Sequence, residues 1–332
     1  MKRFAFLFFI FIIVGTGFFY WKNKNPKSLN TPLVSKIAQK EKPLEKYTFE
    51  NLLKTNFASS KIEIGDVLQE DADFTAFKFY FWVDGKKISG LLNIPKLSGT
   101  YPVIVMFRGY VDKETYSTGV GTQRAGEVFA KNGFVTLSPD FLGYGESDNP
   151  SDNAFEERFQ TYTTAQTLLL SISNLNEVLP GAKANLGKIG IWGHSNGGQI
   201  ALSTLAISQK PYPTVLWAPV SKPFPYSILY YTDEFDDRGK ALRLALSNFE
   251  KDYDVELYNP TNFLDKIRAP IHIHQGTADE EIPQEWTNNL ADSLKKLNVD
   301  LEYFIYPGAN HNMLPDWDIA VLRSIKFYQE NL

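Results

Sequence analysis

Between residues 102 and 328 short apolar runs alternate with amphipathic helical stretches, and that alternation restricts the fold more than any other feature. The run Pro102-Val103-Ile104-Val105-Met106-Phe107 is apolar throughout and ends at Arg108-Gly109-Tyr110. Residues 134–137, 188–192, 214–217, 270–274 and 300–306 repeat the pattern, with predicted helices over 123–131, 154–178, 197–207, 284–297 and 315–328. Strands apolar on both sides are buried on both faces, and helical crossovers between them impose parallel pairing. The expected class is therefore α/β, a mostly parallel sheet flanked by helices. Ahead of it, FTAFKFYFWVDGKKISGLLNIP alternates apolar and polar residues on either side of Asp84-Gly85 and reads as a β-hairpin.

Two regions depart from the alternation. Residues 220–266 are rich in aromatics (Phe224, Tyr226, Tyr230, Tyr231, Phe235) and in acids (Asp233, Glu234, Asp236, Asp237), with a predicted helix near 240–249. They are read as a cap-like insertion over the active-site end of a catalytic domain spanning 47–332. At the N-terminus, residues 4–21 carry no charge and lie between Lys2-Arg3 and Lys22, Lys24 and Lys27. That length nearly crosses a bilayer core of roughly 30 Å. The expectation is a membrane anchor over 4–21, within a terminal segment 1–22, with the domain on the extracytoplasmic side. The alternative is a cleaved export signal, with Gly15 and Gly17 ahead of a cut before Phe18, and a secreted protein. Residues 23–46, with Pro26, Pro32, Pro43 and many Lys, Asn and Ser, read as a polar tether.

Composition narrows the chemistry. The 332 residues include no Cys, which excludes a thiol nucleophile, disulfides and Cys-based metal centres. A net charge of −4 without a long basic run gives no footprint for nucleic acid. Neither a G-x-G-x-x-G opening the first βα unit nor a Walker lysine is present, so a nucleotide-binding enzyme is not indicated. No metal and no cofactor are expected, and nothing indicates an oligomeric state.

One βα turn carries a G-x-S-x-G motif, Gly193-His194-Ser195-Asn196-Gly197, between an apolar strand and a helix. Such a turn exposes its serine on a strained backbone, and the flanking glycines, Gly193 and Gly197, let strand and helix approach. A serine hydroxyl needs a base within reach and a carboxylate to orient that base. Of the four histidines, His194 adjoins Ser195 and is expected to point elsewhere. His272 and His274 alternate with Ile271 and Ile273 and read as packing residues. His311, in the loop Tyr306-Pro307-Gly308-Ala309-Asn310-His311-Asn312, remains as the base. Asp279, on the loop after IHIHQ, is the candidate carboxylate, with Glu280 and Glu281 read as solvated charges and Asp140 as a brace between loops. The order Ser195, Asp279, His311 is that of α/β-hydrolases. For the oxyanion the candidate donors are the N–H groups of Asn196, at the helix start, and Tyr110, after the Phe107 strand.

These residues resemble the α/β-hydrolase superfamily and, more narrowly, the catalytic domain of prolyl-oligopeptidase-type serine peptidases, from about residue 88 to the C-terminus. The likeness rests on Asn259-Pro260, LDKIRAPIHIHQGTADEEIP, VDLEYFIYPGANHNM and DFLGYGES. It implies an α/β-hydrolase fold, a Ser–Asp–His triad, no cofactor, and hydrolysis of peptide or ester bonds. The stretch before residue 88 is too short for the β-propeller of those peptidases, and Arg108 stands where several of them place an oxyanion tyrosine. The expected function is a serine hydrolase acting on short peptides, with a carboxylic-ester hydrolase as the alternative. A non-catalytic, membrane-anchored binding module is the remote one.

Overall fold

Strands β1 (Glu63–Glu70), β2 (Phe74–Val83) and β3 (Lys86–Pro95) form an antiparallel meander, and β2 and β3 meet at the Asp84-Gly85 turn. Both turn residues have positive φ, 50° and 79°, the left-handed backbone that a two-residue hairpin turn demands. In this computed structural model, residues 41–232 and 236–332 are described; the 4–21 segment, most of the tether and Asp233, Glu234 and Phe235 of the insertion lie outside them. The chain divides after Lys42, and the unit Pro43–Leu332 holds every element named here.

The alternation follows as β4 (Thr100–Phe107), α1 (Gln123–Lys131), β5 (Val135–Pro139), α2 (Ala154–Ser171), β6 (Lys183–His194), α3 (Asn196–Ser208) and β7 (Thr214–Trp217). After the insertion, which contains α4 (Lys240–Phe249), come β8 (Ile271–Gly276), α5 (Gln284–Lys296), β9 (Leu301–Tyr306) and α6 (Trp317–Asn331). The sheet order is β1-β2-β3-β5-β4-β6-β7-β8-β9. Pairing is antiparallel as far as β3–β5 and parallel from β5 to β9.

Apolarity on both strand faces has its reason in the two cores. Val103, Val105 and Phe107 of β4 join one, with Ile191, Leu216, Phe159 of α2 and Leu205 of α3. Ile104 and Met106 join the other, with Trp192, Val215, Phe129 of α1 and Val321 of α6. Because β4 lies between β5 and β6, the crossovers that follow β4 and β6 leave in opposite directions, to β5 and to β7. Such a switch opens a crevice at the carboxyl ends of the strands, here β4 and β6.

Several boundaries differ from expectation. The sequence reading contains no counterpart of β1: EIGDVLQE lacks apolar alternation because an edge strand with two register irregularities is held by backbone pairing to β2 alone. The helix predicted to 178 ends at Ser171 and tightens into a 3₁₀ turn over Ile172–Glu177. Strand β6 begins at Lys183, since its first residues already pair with Thr100 and Tyr101 of β4. The tether is shorter than read: Leu44 is buried, its N–H donates to Tyr253 Oη and its carbonyl accepts from Tyr258 Oη, and Lys46 pairs with Glu156. Tyr253 and Tyr258 belong to the insertion, which packs Phe224, Phe249 and Tyr258 against Phe155 and Phe159 of α2 with ring centroids 5.0–6.3 Å apart.

Candidate active site

Ser195 sits at the tip of the turn between β6 and α3 with φ 56° and ψ −121°, a conformation strongly disfavoured for a residue with a Cβ. The neighbouring backbone holds it there: its N–H donates to Trp217 O at 2.9 Å, and its carbonyl accepts from Gly198 N–H and Val220 N–H, both at 2.9 Å. The flanking glycines are sterically required. A Cβ on Gly197 would stand 1.9 Å from Phe107 O, and one on Gly193 2.5 Å from Gly197 O.

Asp279 and His311 arrive on the loops after β8 and β9 and meet, with His311 Nδ1 3.0 and 3.1 Å from the two carboxylate oxygens. The Asp279 side chain is fully buried, that of His311 17% exposed. Backbone amides of Glu281 and Ile282 donate to Asp279 Oδ1 at 2.9 Å, and Gln275 Nε2 donates to Oδ2 at 3.0 Å. Burial alone would raise the Asp279 pKa. The His311 bond and charge, with the Ile282 and Gln275 donors, outweigh it and hold the carboxyl below its ordinary range. Gln275 is absent from the sequence reading. It is buried, accepts from Thr287 Oγ1 at 2.7 Å and also donates to Gly276 O and Ile282 O, so it fixes the loop that carries Asp279. Its one legible signal is a polar residue inside an otherwise apolar strand end.

His194 turns to His311. Its ring lies 4.6 Å from that of His311 at an interplanar angle of 35°, and its Nε2 is 3.0 Å from His311 O. A carbonyl accepts only, so Nε2 carries the proton. Burial, and then the neighbouring His311, lower the His194 pKa to about 4, so the ring is neutral at pH 7. His272 and His274 are packing residues: His274 is buried with Nδ1 2.7 Å from Tyr306 Oη, and His272 stacks 4.0 Å from Phe327 and meets Glu302. Glu280 and Glu281 are exposed.

On the other side of Ser195, Gly109 comes close enough that a Cβ on it would lie 3.0 Å from Ser195 Cβ and 3.5 Å from Oγ. The Tyr110 side chain is 73% exposed and its hydroxyl donates to Asp112. Its backbone N–H has no acceptor among the described residues. The N–H of Asn196 belongs to the first turn of α3, where helix donors have no intrahelical partner. Asp140 braces loops: its fully buried carboxylate accepts from Ser89 and Thr118 hydroxyls at Oδ2 and from the Tyr116 hydroxyl at Oδ1. Those bonds join β3, the loop after β4 and the loop after β5.

The sequence profile of the dienelactone hydrolase family matches residues 88–321, well over half of the chain. The chain belongs to the dienelactone hydrolase family. It is similar to a Bacillus subtilis protein named uncharacterized peptidase YtmA, 25% identical over 253 residues that span 75% of this chain and 90% of the relative. Acetyl xylan esterase 1 from Thermoanaerobacterium sp. superposes with a TM-score of 0.58 at 17% identity, over 86% of this chain and 94% of the esterase. A puromycin-hydrolyzing peptidase from Mycobacterium tuberculosis gives 0.55 at 16% identity, over 82% of this chain and 39% of the peptidase. At such identities the structural likenesses speak for the fold alone. This member of the dienelactone hydrolase family is a hydrolase with the α/β-hydrolase fold expected from its sequence.

Proposed function

We propose that the protein is a serine hydrolase acting through Ser195, His311 and Asp279. Supporting this above all are the Asp279–His311 pair, joined at 3.0 Å, and the strained backbone of the elbow serine. In this reading Ser195 Oγ attacks the substrate carbonyl carbon and its proton passes to His311, while Asp279 holds His311 Nδ1–H and faces the charge that develops on the ring. The carbonyl oxygen becomes an oxyanion held by the N–H groups of Asn196 and Tyr110. Collapse expels the leaving group, which takes the proton from His311. Water, deprotonated by the same base, then frees the acyl group.

For the substrate we favour short peptides, on the tail motifs and the peptidase-named relative, 90% of which is matched. The second reading, a carboxylic ester, draws on the esterase among the fold neighbours. We assign the 220–266 insertion to the substrate pocket, because Tyr231 Oη donates to Glu281 O, two residues beyond Asp279. The segment 4–21 we assign to membrane anchoring or export.

Full-length protein in detergent should label with a fluorophosphonate, and Ser195→Ala should abolish the labelling; unlabelled, folded wild type would remove the serine-hydrolase reading. A panel of aminoacyl anilides and short-chain aryl esters then separates the substrates, since turnover of esters alone would exclude the peptidase. Retention in alkali-washed membranes tests the anchor, and a mature mass lacking the first residues would replace it with a cleaved signal.

A further inference from the structure

Arg108 is a cation in the wrong kind of place. It is 6% exposed, and its guanidinium lies 3.9 Å from the ring centroid of Tyr144, 4.6 Å from that of Tyr116 and 5.9 Å from that of Phe141. Its Nε is buried without a hydrogen-bond partner among the described residues. A buried charge with an unsatisfied donor is costly, and retaining one calls for a reason. No direct salt bridge supplies it: the Asp140 carboxylate, near enough for the two charges to act on each other, takes its hydrogen bonds from the three hydroxyls. The guanidinium spends its donors on two backbone carbonyls instead. Nη1 donates to Gly109 O and Nη2 to Asp140 O, each at 2.9 Å.

The first of those carbonyls belongs to the peptide that abuts Ser195. In a trans peptide C=O and N–H point in opposite directions, so a donor fixed on Gly109 O also fixes the Tyr110 N–H on the opposite side. Glycine at 109 leaves that peptide free to rotate, and Arg108 removes the freedom. The second carbonyl ties the guanidinium to the loop after β5, which the Asp140 carboxylate secures. We infer that Arg108 is a positioning residue for the oxyanion site: its guanidinium sets the rotation of the Gly109–Tyr110 peptide and so aims the Tyr110 N–H. The inference rests on the serine-hydrolase reading.

The test uses full-length enzyme, an aryl ester and its thionoester analogue, whose sulfur accepts hydrogen bonds poorly. Arg108→Met removes every donor while keeping an unbranched, flexible side chain. The expected result is a kcat on the ester about 100-fold lower, the size of losing one oxyanion donor. KM should change by less than about threefold, and the ester-to-thionoester rate ratio should fall, because the interaction lost acts on the oxyanion. Arg108→Lys should recover only part, since one ammonium cannot span both carbonyls in the geometry of the fork.

Tyr110→Pro deletes the N–H itself, and it serves as the second variant should the methionine fail to fold. If Arg108 acts through that N–H, the double variant loses no more than the more damaged single. Additive losses, an unchanged rate ratio or a loss confined to KM would overturn the inference. A folded Tyr110→Pro enzyme with wild-type kcat and rate ratio would overturn it as well. Wild type that neither labels with a fluorophosphonate nor turns over any ester or anilide would instead fail the underlying reading, with no change required in the Arg108 contacts.

Discussion

Two buried aspartates, Asp279 bonded to His311 and Asp140 bonded through its backbone carbonyl to Arg108, have carboxyls that shift in opposite directions. Asp279, beside His311, is held below its ordinary pKa; Asp140, beyond Arg108, is pushed above it. Burial is the largest influence on each and raises both. Around Asp279 it is overcome by an imidazole that can carry charge and by amide donors. Around Asp140 it prevails over the hydroxyls of Ser89, Tyr116 and Thr118 and over Arg108, whose Nη groups bond elsewhere. What separates the two walls of the site is therefore the kind of donor each carboxylate faces. One carboxylate faces an imidazole and backbone amides, the other faces hydroxyls that tie β3 to two loops.

The largest effects should fall on the first wall. Asp279→Asn or His311→Ala is expected to lower kcat by about 10⁴-fold with the fold intact. Asp140→Asn should instead cost about 2 kcal/mol of stability, from disturbed buried hydrogen bonds, with kcat kept within about tenfold. Steady-state kinetics beside thermal melts would break the contrast if the two Asn variants lost activity equally. Gly197→Ala acts on the seam between the walls: its Cβ would meet Phe107 O at 1.9 Å, and a stability loss of about 3 kcal/mol in denaturant titration is expected.

Acid should reveal the walls in sequence. His194 favours its neutral form in the fold, with a pKa of about 4 against an ordinary 6.5. Its contribution is thus complete above pH 6.5, is lost as pH falls toward 4, and changes no further below. Asp279, lowered from 3.8, contributes fully above that value and loses its share only as pH falls through its folded pKa. Stability measured from pH 7 to 4 should fall less steeply in His194→Asn than in wild type; equal slopes would place the acid sensitivity in other groups. The smallest effect belongs to the ring that faces Arg108 most closely. Tyr144→Leu is expected to cost about 1 kcal/mol, and no measurable change in melting would mean that the carbonyl bonds alone hold the guanidinium.

Legibility followed the locality of the physics. The apolar strands β4, β7 and β8 were readable because both-face burial writes a run into the sequence, and β9 as an apolar and aromatic run although it is a half-exposed edge, while β1, the other edge, writes nothing. Asp279 and His311 could be singled out because each stands on a loop at the end of such a strand, and the elbow because its glycines are sterically forced. Their roles in catalysis are the proposal made above. The partner of His194 was not legible: adjacency to Ser195 says nothing about where a ring turns, and only the fold of the last loop brings His311 O against its Nε2. Gln275 and Arg108 escaped for a related reason, since each acts on backbone carbonyls and side chains supplied by other parts of the chain.

The sequence by itself determined the α/β architecture, the strained serine turn and the order of the candidate residues, because periodicity, turn chemistry and spacing are properties of neighbours along the chain. Tertiary structure alone decided which buried carboxyl has its pKa lowered and which has it raised, which histidine leans on which, and where a buried arginine directs its hydrogen bonds. Desolvation and donor geometry depend on residues more than thirty positions apart, Asp140 from Arg108 and His311 from Asp279, and only packing brings them together.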